Sequence, residues 1–401
     1  MPKLLFEFDS NRRFYRNKGL KANQAAPENG MRVILSESGM SEHIYNFSAG
    51  PAMIPAEVIA EAAAELASVR GSGLSVMEIS HRSALFGEIL EDALDRVRRL
   101  LNLPESYEVL FLQGGATLQF SMVPMNLLAP VDTAEYVVTG YWGKKAAKIA
   151  SRYGEIKTIY SAEDKGFTAV PANGELRVSP NASYLHYTSN ETIDGVEFDY
   201  DVDAGLIPVV CDMSSNILSR PIDIEKYGLI YAGAQKNLGP SGLVLVVIRK
   251  DLLDRSPREL PDLLTYKVLA DNNSMANTPN TWAIYMLGLV CKWLEARGGP
   301  AGIDKLNEEK ARLLYEAIDK SDGFYAGHAE RTARSRMNVT FKLPNAELDA
   351  MFVKGSEENG MNGLAGHRAV GGIRASIYNA MPISGVKHLV EFMAEFARKN
   401  G

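Results

Sequence analysis

The chain holds 401 residues, 46% of them hydrophobic and 23% charged, with a formal net charge of −6. That composition is globular, with enough apolar residues for one large and one smaller core, and its acidic balance speaks against a nucleic-acid or anionic-membrane partner. No apolar run reaches the roughly 20 residues that a bilayer-spanning helix needs.

Residues 1–43 stand apart. Arg12, Arg13, Arg16, Lys18 and Lys21 cluster ahead of a polar stretch without an apolar core, which excludes a secretory signal. The segment is expected to be a poorly ordered extension, or to lie upstream of a true start at Met31 or Met40. Asn46 to Ala52 is rich in turn residues, and Pro55-Ala56-Glu57 opens a helix that runs to Leu66. Ser80 to Ser83 is a polar loop before a helix over Glu88 to Leu101. Val109 to Leu112, Tyr136 to Thr139, Ile156 to Ile159 and Ala182 to Tyr187 read as strands. Gly114-Gly115-Ala116-Thr117 turns the first of them into a helix, and a lysine- and alanine-rich helix follows Tyr141-Trp142-Gly143. Val209 to Asp212, Leu229 to Ala234 and Leu243 to Ile248 are continuous apolar runs, as buried strands are. The two cysteines, Cys211 and Cys291, lie inside apolar runs without metal-ligand spacing, as reduced core thiols of a cytosolic protein do.

Strands alternating with helices predict an α/β fold with a doubly wound, mostly parallel sheet. Trp282 to Leu294 is an apolar helix, and Glu308 to Asp319 an amphipathic one with Leu313, Leu314 and Ile318 on its inner face. Strands at Met337 to Phe341 and Arg374 to Tyr378 and a closing helix from Gly385 to Arg398 predict a smaller α+β domain. The expected division is 44–300 and 301–401, with residues 44–54 packing on the smaller part.

Chemistry is expected at the strand ends, where α/β proteins place ligands. Two glycines at the start of a helix allow close backbone approach, and the free amides and helix dipole there favour a phosphate. An ordinary strand-to-helix turn would use the same residues. The pattern G-x-G-x-x-G is absent, which counts against a dinucleotide dehydrogenase. Trp142, just past a strand, could be core filler or a flat surface for an aromatic ring. Asp212 and Lys236 each end a buried run, and an unpaired buried charge is expensive. The residues alone leave two readings open. The pair could form a structural salt bridge, or Asp212 could face a protonated ring nitrogen while Lys236, its pKa lowered by burial, forms an imine with an aldehyde.

The segments Asn46 to Ala52, Met77 to Arg82, Gly114 to Phe120, Asn190 to Gly195, Asp212 to Pro221, Tyr231 to Pro240, Asn277 to Pro279 and Gly366 to Pro382 together resemble the phosphoserine aminotransferases. These are class V aminotransferases of the fold-type I architecture of pyridoxal 5′-phosphate (PLP) enzymes. The resemblance covers nearly everything from residue 44 onward. It implies that Lys236 carries the cofactor, Asp212 keeps its ring nitrogen protonated, Trp142 stacks on its ring and Thr192 bonds its phenolic oxygen. Ala116, Thr117 and Gln235 would hold its phosphate, completed by Asn277 and Thr278 of a second subunit, so a homodimer is implied.

On the substrate side, Arg374 would hold the α-carboxylate, and His81, Arg82, His367 and Arg368 the distal anion, the last two reaching across the dimer. Arginine suits this work because its planar fork binds carboxylate and phosphate through two bonds. Some members of the family carry arginine where this chain has Thr117. The implied reaction exchanges an amino group between L-glutamate and 3-phosphohydroxypyruvate in serine biosynthesis. A four-carbon phosphorylated analogue of pyridoxine biosynthesis is a second implied substrate. Alanine–glyoxylate transamination is the competing activity, but it needs fewer cations. A cysteine desulfurase would need an exposed thiol.

Overall fold

The structure, a computed structural model, describes residues 44–368 and 370–401; the expectation for residues 1–43 lies outside them. The chain enters through β1 (Tyr45–Asn46) and α1 (Ala56–Glu65). α2 (Ala84–Leu100) begins four residues ahead of the expected Glu88, because Ser83 caps it by accepting from the Phe86 amide. Then follow β2 (Tyr107–Leu112), α3 (Gly115–Leu127), β3 (Thr133–Val138), α4 (Tyr141–Ala150), β4 (Glu155–Ser161) and β5 (Leu185–Thr188). A two-stranded ribbon, β6 (Asn190–Glu191) with β7 (Val196–Glu197), precedes β8 (Val209–Asp212), β9 (Tyr227–Gly233), β10 (Val244–Arg249), α5 (Tyr266–Asp271) and α6 (Thr281–Glu295).

Seven of these strands form one sheet in the order β2-β10-β9-β8-β5-β3-β4. β10 runs antiparallel to both its neighbours and the remaining pairs are parallel. Side chains alternate between its two faces. Cys211, Ile230, Ala232, Leu245 and Val247 pack with α1, α2 and α6. Val210, Leu229, Tyr231, Val244 and Val246 pack with α3, α4 and α5. A strand covered on both faces has no polar side, which is why β8, β9 and β10 read as continuous apolar runs.

The C-terminal part comprises α7 (Gly299–Asp319), β11 (Ala326–Gly327), β12 (Asn338–Lys342), α8 (Ala346–Glu358), β13 (Met361–Asn362), β14 (Ile373–Ser376) and α9 (Ile383–Asn400). α7 starts nine residues ahead of the expected Glu308, with Pro300 in its first turn. α8, capped by Asn345, has no counterpart in the sequence reading. β11, β12 and β14 form an antiparallel sheet. Its apolar cluster, with Phe341, Phe352 and Ile373, also takes in Phe47, and β1 pairs in parallel with β13.

One buried cation ties this part together. Lys310 is fully buried on α7 and donates to the carbonyls of Ile377, Tyr378 and Met381 at 2.8, 2.7 and 3.2 Å. Burial lowers its pKa to about 7. The same loop reaches the lysine-bearing turn, because the Asn379 amide donates to Asn237 Oδ1 at 3.0 Å. Lys310→Met keeps the aliphatic stem and orphans buried carbonyls, so urea unfolding should show a loss of about 2–4 kcal/mol.

Candidate active site

The C-terminal ends of β5, β8 and β9 and the start of α3 surround a cavity of about 330 Å³. Three backbone features shape it. Gly114 (φ 91°) and Gly115 (φ 64°) take left-handed conformations that let β2 turn directly into α3, and a side chain at Gly114 would stand 2.4 Å from Leu118 Cδ2. Among the described residues no side chain caps α3, so its first amides lack partners within the helix at its cavity end. After β9, the Ala234 amide bonds the Leu243 carbonyl and Leu238 N the Ala234 carbonyl, at 2.9 and 3.1 Å, making a tight turn that projects Lys236.

Ala116, Thr117, Trp142, Thr192, Asp212, Gln235, Lys236, His367 and Arg374 all line this cavity. Among the described residues Lys236 Nζ has no hydrogen bond or ion pair. Its pKa is lowered, first by burial; Asp212 and Glu191 oppose that and Arg374 adds to it. Asp212 is buried at the end of β8 and accepts from the Ser214 amide at 2.9 Å. Burial raises its pKa, while the Lys236 charge and Ser214 hold it down. Among the described residues no ion pair joins Asp212 to Lys236, so the salt-bridge reading of this pair is not what the fold builds.

Trp142 lies in the first turn of α4 and donates its indole N–H to Thr192 Oγ1 at 3.0 Å. Arg374, on β14, donates to the Thr192 carbonyl at 3.0 Å, and desolvation lowers its pKa. Among the described residues, Arg374 Nε and Thr188 Oγ1 are buried without a hydrogen-bond partner. Both residues line the cavity, where a bound polar molecule would satisfy them.

His367 reaches the cavity of its own chain, its ring 6.0 Å from that of Tyr141. It therefore needs no second subunit to stand there. Its pKa is lowered by burial and then by Arg374 and Arg368. Arg368 is exposed and does not line the cavity. His81 and Arg82 sit on the turn before α2, also outside it. Asn277 and Thr278 are exposed. Asn277 lines an adjoining cavity of about 250 Å³ with Gln113 and Gly114, and the Thr278 carbonyl accepts from Gln113 at 2.8 Å.

The sequence reading missed Thr188, and it missed Glu191 and Asp194, whose carboxylates accept from the start of α4. The available signal was Gly140, which leaves that helix without a capping side chain.

A lysine on the turn after a buried strand, an acid one strand away and a glycine-led helix start share one cavity, and the fold that brings them together is that of the fold-type I PLP enzymes. Residues 44–389 match the family described as aminotransferase class-V, and the chain belongs to that family. Within it, the chain is 54% identical over 359 residues to a phosphoserine aminotransferase of Chromobacterium violaceum, covering 89% of this chain and 99% of that protein. It is 52% identical over 362 residues to that of Pseudomonas fluorescens, covering 90% and 100%. Among solved structures, the phosphoserine aminotransferase from Bacillus circulans subsp. alkalophilus superposes with a TM-score of 0.88 at 49% identity, over 90% of this chain and all of that one. A PLP-bound phosphoserine aminotransferase from Trichomonas vaginalis gives 0.83 at 42%, over 88% and 100%.

Proposed function

We propose that this protein is a PLP-dependent transaminase that interconverts 3-phosphohydroxypyruvate plus L-glutamate with O-phospho-L-serine plus 2-oxoglutarate, in serine biosynthesis. The observation that carries this reading is the cavity in which an unpartnered Lys236 amine, a buried Asp212 and an Arg374 with a free buried Nε meet. The donor set fits the cofactor. A phosphate suits the free amides at Ala116 and Thr117, with Gln235 beside them. A ring nitrogen suits Asp212, a flat ring suits Trp142, a phenolic oxygen suits Thr192, and an aldehyde suits Lys236.

When bound, PLP supplies an aldehyde and a ring that delocalises the electron pair released from the substrate. The residues do the rest. Lys236, its pKa lowered by burial, is the base that takes the proton from the substrate Cα. Asp212 keeps a proton on the ring nitrogen. Trp142 would offer a flat apolar surface to the ring and help to exclude water from it. Arg374 holds the α-carboxylate through its fork. His367 takes the distal carboxylate or phosphate, and His81, Arg82 and Arg368, which stand outside this cavity in a single chain, would join it in the homodimer.

The reading includes a homodimer, in which a second copy brings Asn277 and Thr278 to the phosphate. It is supported by their position on the surface, beside a neighbouring cavity rather than the one that holds Lys236. The setting is cytosolic, in keeping with two buried free thiols. No helix among the described residues is long and apolar enough to cross a membrane.

Phosphoserine and alanine, offered separately as amino donors with 2-oxoglutarate, test the substrate class. Phosphoserine should react at least about 100-fold faster by kcat/KM, because a site built for a second anion leaves its cations unpaired without one. Equal rates would overturn the assignment.

A further inference from the structure

α4 starts without a side-chain cap. Its N-cap is Gly140, and the amides of its first turn cannot be satisfied within the helix. The β6–β7 ribbon supplies the acceptors. Asp194 Oδ2 takes the Tyr141 amide at 3.4 Å, Glu191 Oε2 the Trp142 amide at 2.9 Å, and Glu191 Oε1 the Gly143 amide at 2.7 Å. The fit is close, since a Cβ on Gly140 would stand 2.6 Å from Glu191 Cδ and 2.7 Å from Asp194 Oδ2. Thr192, the next residue, takes the indole N–H of Trp142. Two consecutive residues of one ribbon thus hold the backbone and the ring of a single tryptophan.

An ordinary helix start needs one short polar side chain at the N-cap. Here the task falls to a carboxyl group that is fully buried and, among the described residues, has no ion-pair partner. Burial pushes that group up to about 8, with Asp194 and Asp212 adding to the rise and the two amides pulling against it. Such a group is expensive to bury, and helix stability alone would not call for it. What distinguishes this cap is that both of its oxygens are committed, so it fixes the first turn in position and in rotation about the helix axis.

We propose that Glu191 is a positioning residue for the reaction, fixing the height and tilt of the Trp142 ring over the Lys236 cavity by clamping the amides of Trp142 and Gly143. It acts through the tryptophan and does not touch the reacting atoms. The inference rests on the PLP reading only where cofactor affinity is the readout.

Glu191→Gln tests it. Glutamine keeps the size but has one acceptor oxygen, so one of the two amides loses its partner. In the cofactor-free protein, hydrogen exchange at Trp142 and Gly143 should accelerate about tenfold while the amides of β9 and β10 stay unchanged. Gly140→Ala displaces the carboxylate sterically without altering it chemically and should give the same exchange pattern. The dissociation constant for PLP should rise about tenfold in Glu191→Gln, and this loss should shrink to less than about twofold in a Trp142→Ala background. Unchanged exchange in both variants would overturn the clamp. An equal affinity loss in both backgrounds would overturn its action through Trp142. Should PLP fail to bind the unmodified protein, the functional reading falls, while the exchange arm still decides the clamp.

Discussion

Lys236→Ala will lose transamination by about 10⁴-fold or more, because among the described residues no other group lining the cavity can take its place. Arg374 lines the same cavity but its guanidinium does not give up a proton at working pH. His367 lines the cavity too, but beside Tyr141, and Asp212 accepts from Ser214 and, in the function proposed above, faces the ring nitrogen. The fold should not suffer. Among the described residues Lys236 makes no hydrogen bond or ion pair, and burial already works against its charge. The variant should therefore unfold at or slightly above the temperature of the unmodified protein. The half-reaction with glutamate, followed by the cofactor's absorbance and by 2-oxoglutarate release, reads the loss directly. Sustained multiple turnover would remove Lys236 from the mechanism.

The chain shows how much of such a site can be read without coordinates. Asp212 and Lys236 were legible because each breaks a buried apolar run, and β8 and β9 do lie side by side with Asp212 opposite Tyr231. Gly114 and Gly115 were legible because the strand-to-helix turn needs backbone that other residues rarely adopt. Trp142, Thr192 and Arg374 come from three separate segments, and only the family resemblance joined them before the fold did. Glu191 was missed for a physical reason. A helix that borrows its cap from a ribbon some fifty residues downstream leaves no local pattern, only an uncapped glycine. The start of α7 was placed late because periodicity marks an inner face and not the first turn, whose signal here was Pro300. α8 was missed because only Phe352 and Ser356 of its residues are buried, too few to set an apolar period.

Asp212→Asn is the sharper test, since it changes charge and almost nothing else. The Asp212 carbonyl accepts from the Ser189 amide and hydroxyl, both at 3.0 Å, and neither bond depends on the side chain. Asparagine can still accept from the Ser214 amide. Two effects then oppose each other. Without the carboxylate, the Lys236 amine is easier to deprotonate, because the Asp212 charge does more than that of Glu191 to hold its proton on. That helps the base. Against it, in the function proposed above, the ring nitrogen would lose the charge that keeps it protonated, and with it the electron withdrawal on which Cα–H cleavage depends. The second effect should win, because Lys236 is already lowered by burial and gains little, whereas misplacing a charge in such a site costs about 10²–10³ in rate.

The cofactor-free protein offers an independent check on the same residue. The folded pKa of Asp212 is raised above its unfolded value. Its contribution is therefore fully present below the ordinary carboxylate range and is lost as pH rises through the folded value. Asp212→Asn should flatten the fall in unfolding temperature across that window while kcat drops by two to three orders of magnitude (about 10²–10³). A variant that turns over within about threefold of the unmodified rate would show that the ring nitrogen does not need its proton here, and the reading of Asp212 would fail even if that of Lys236 stood.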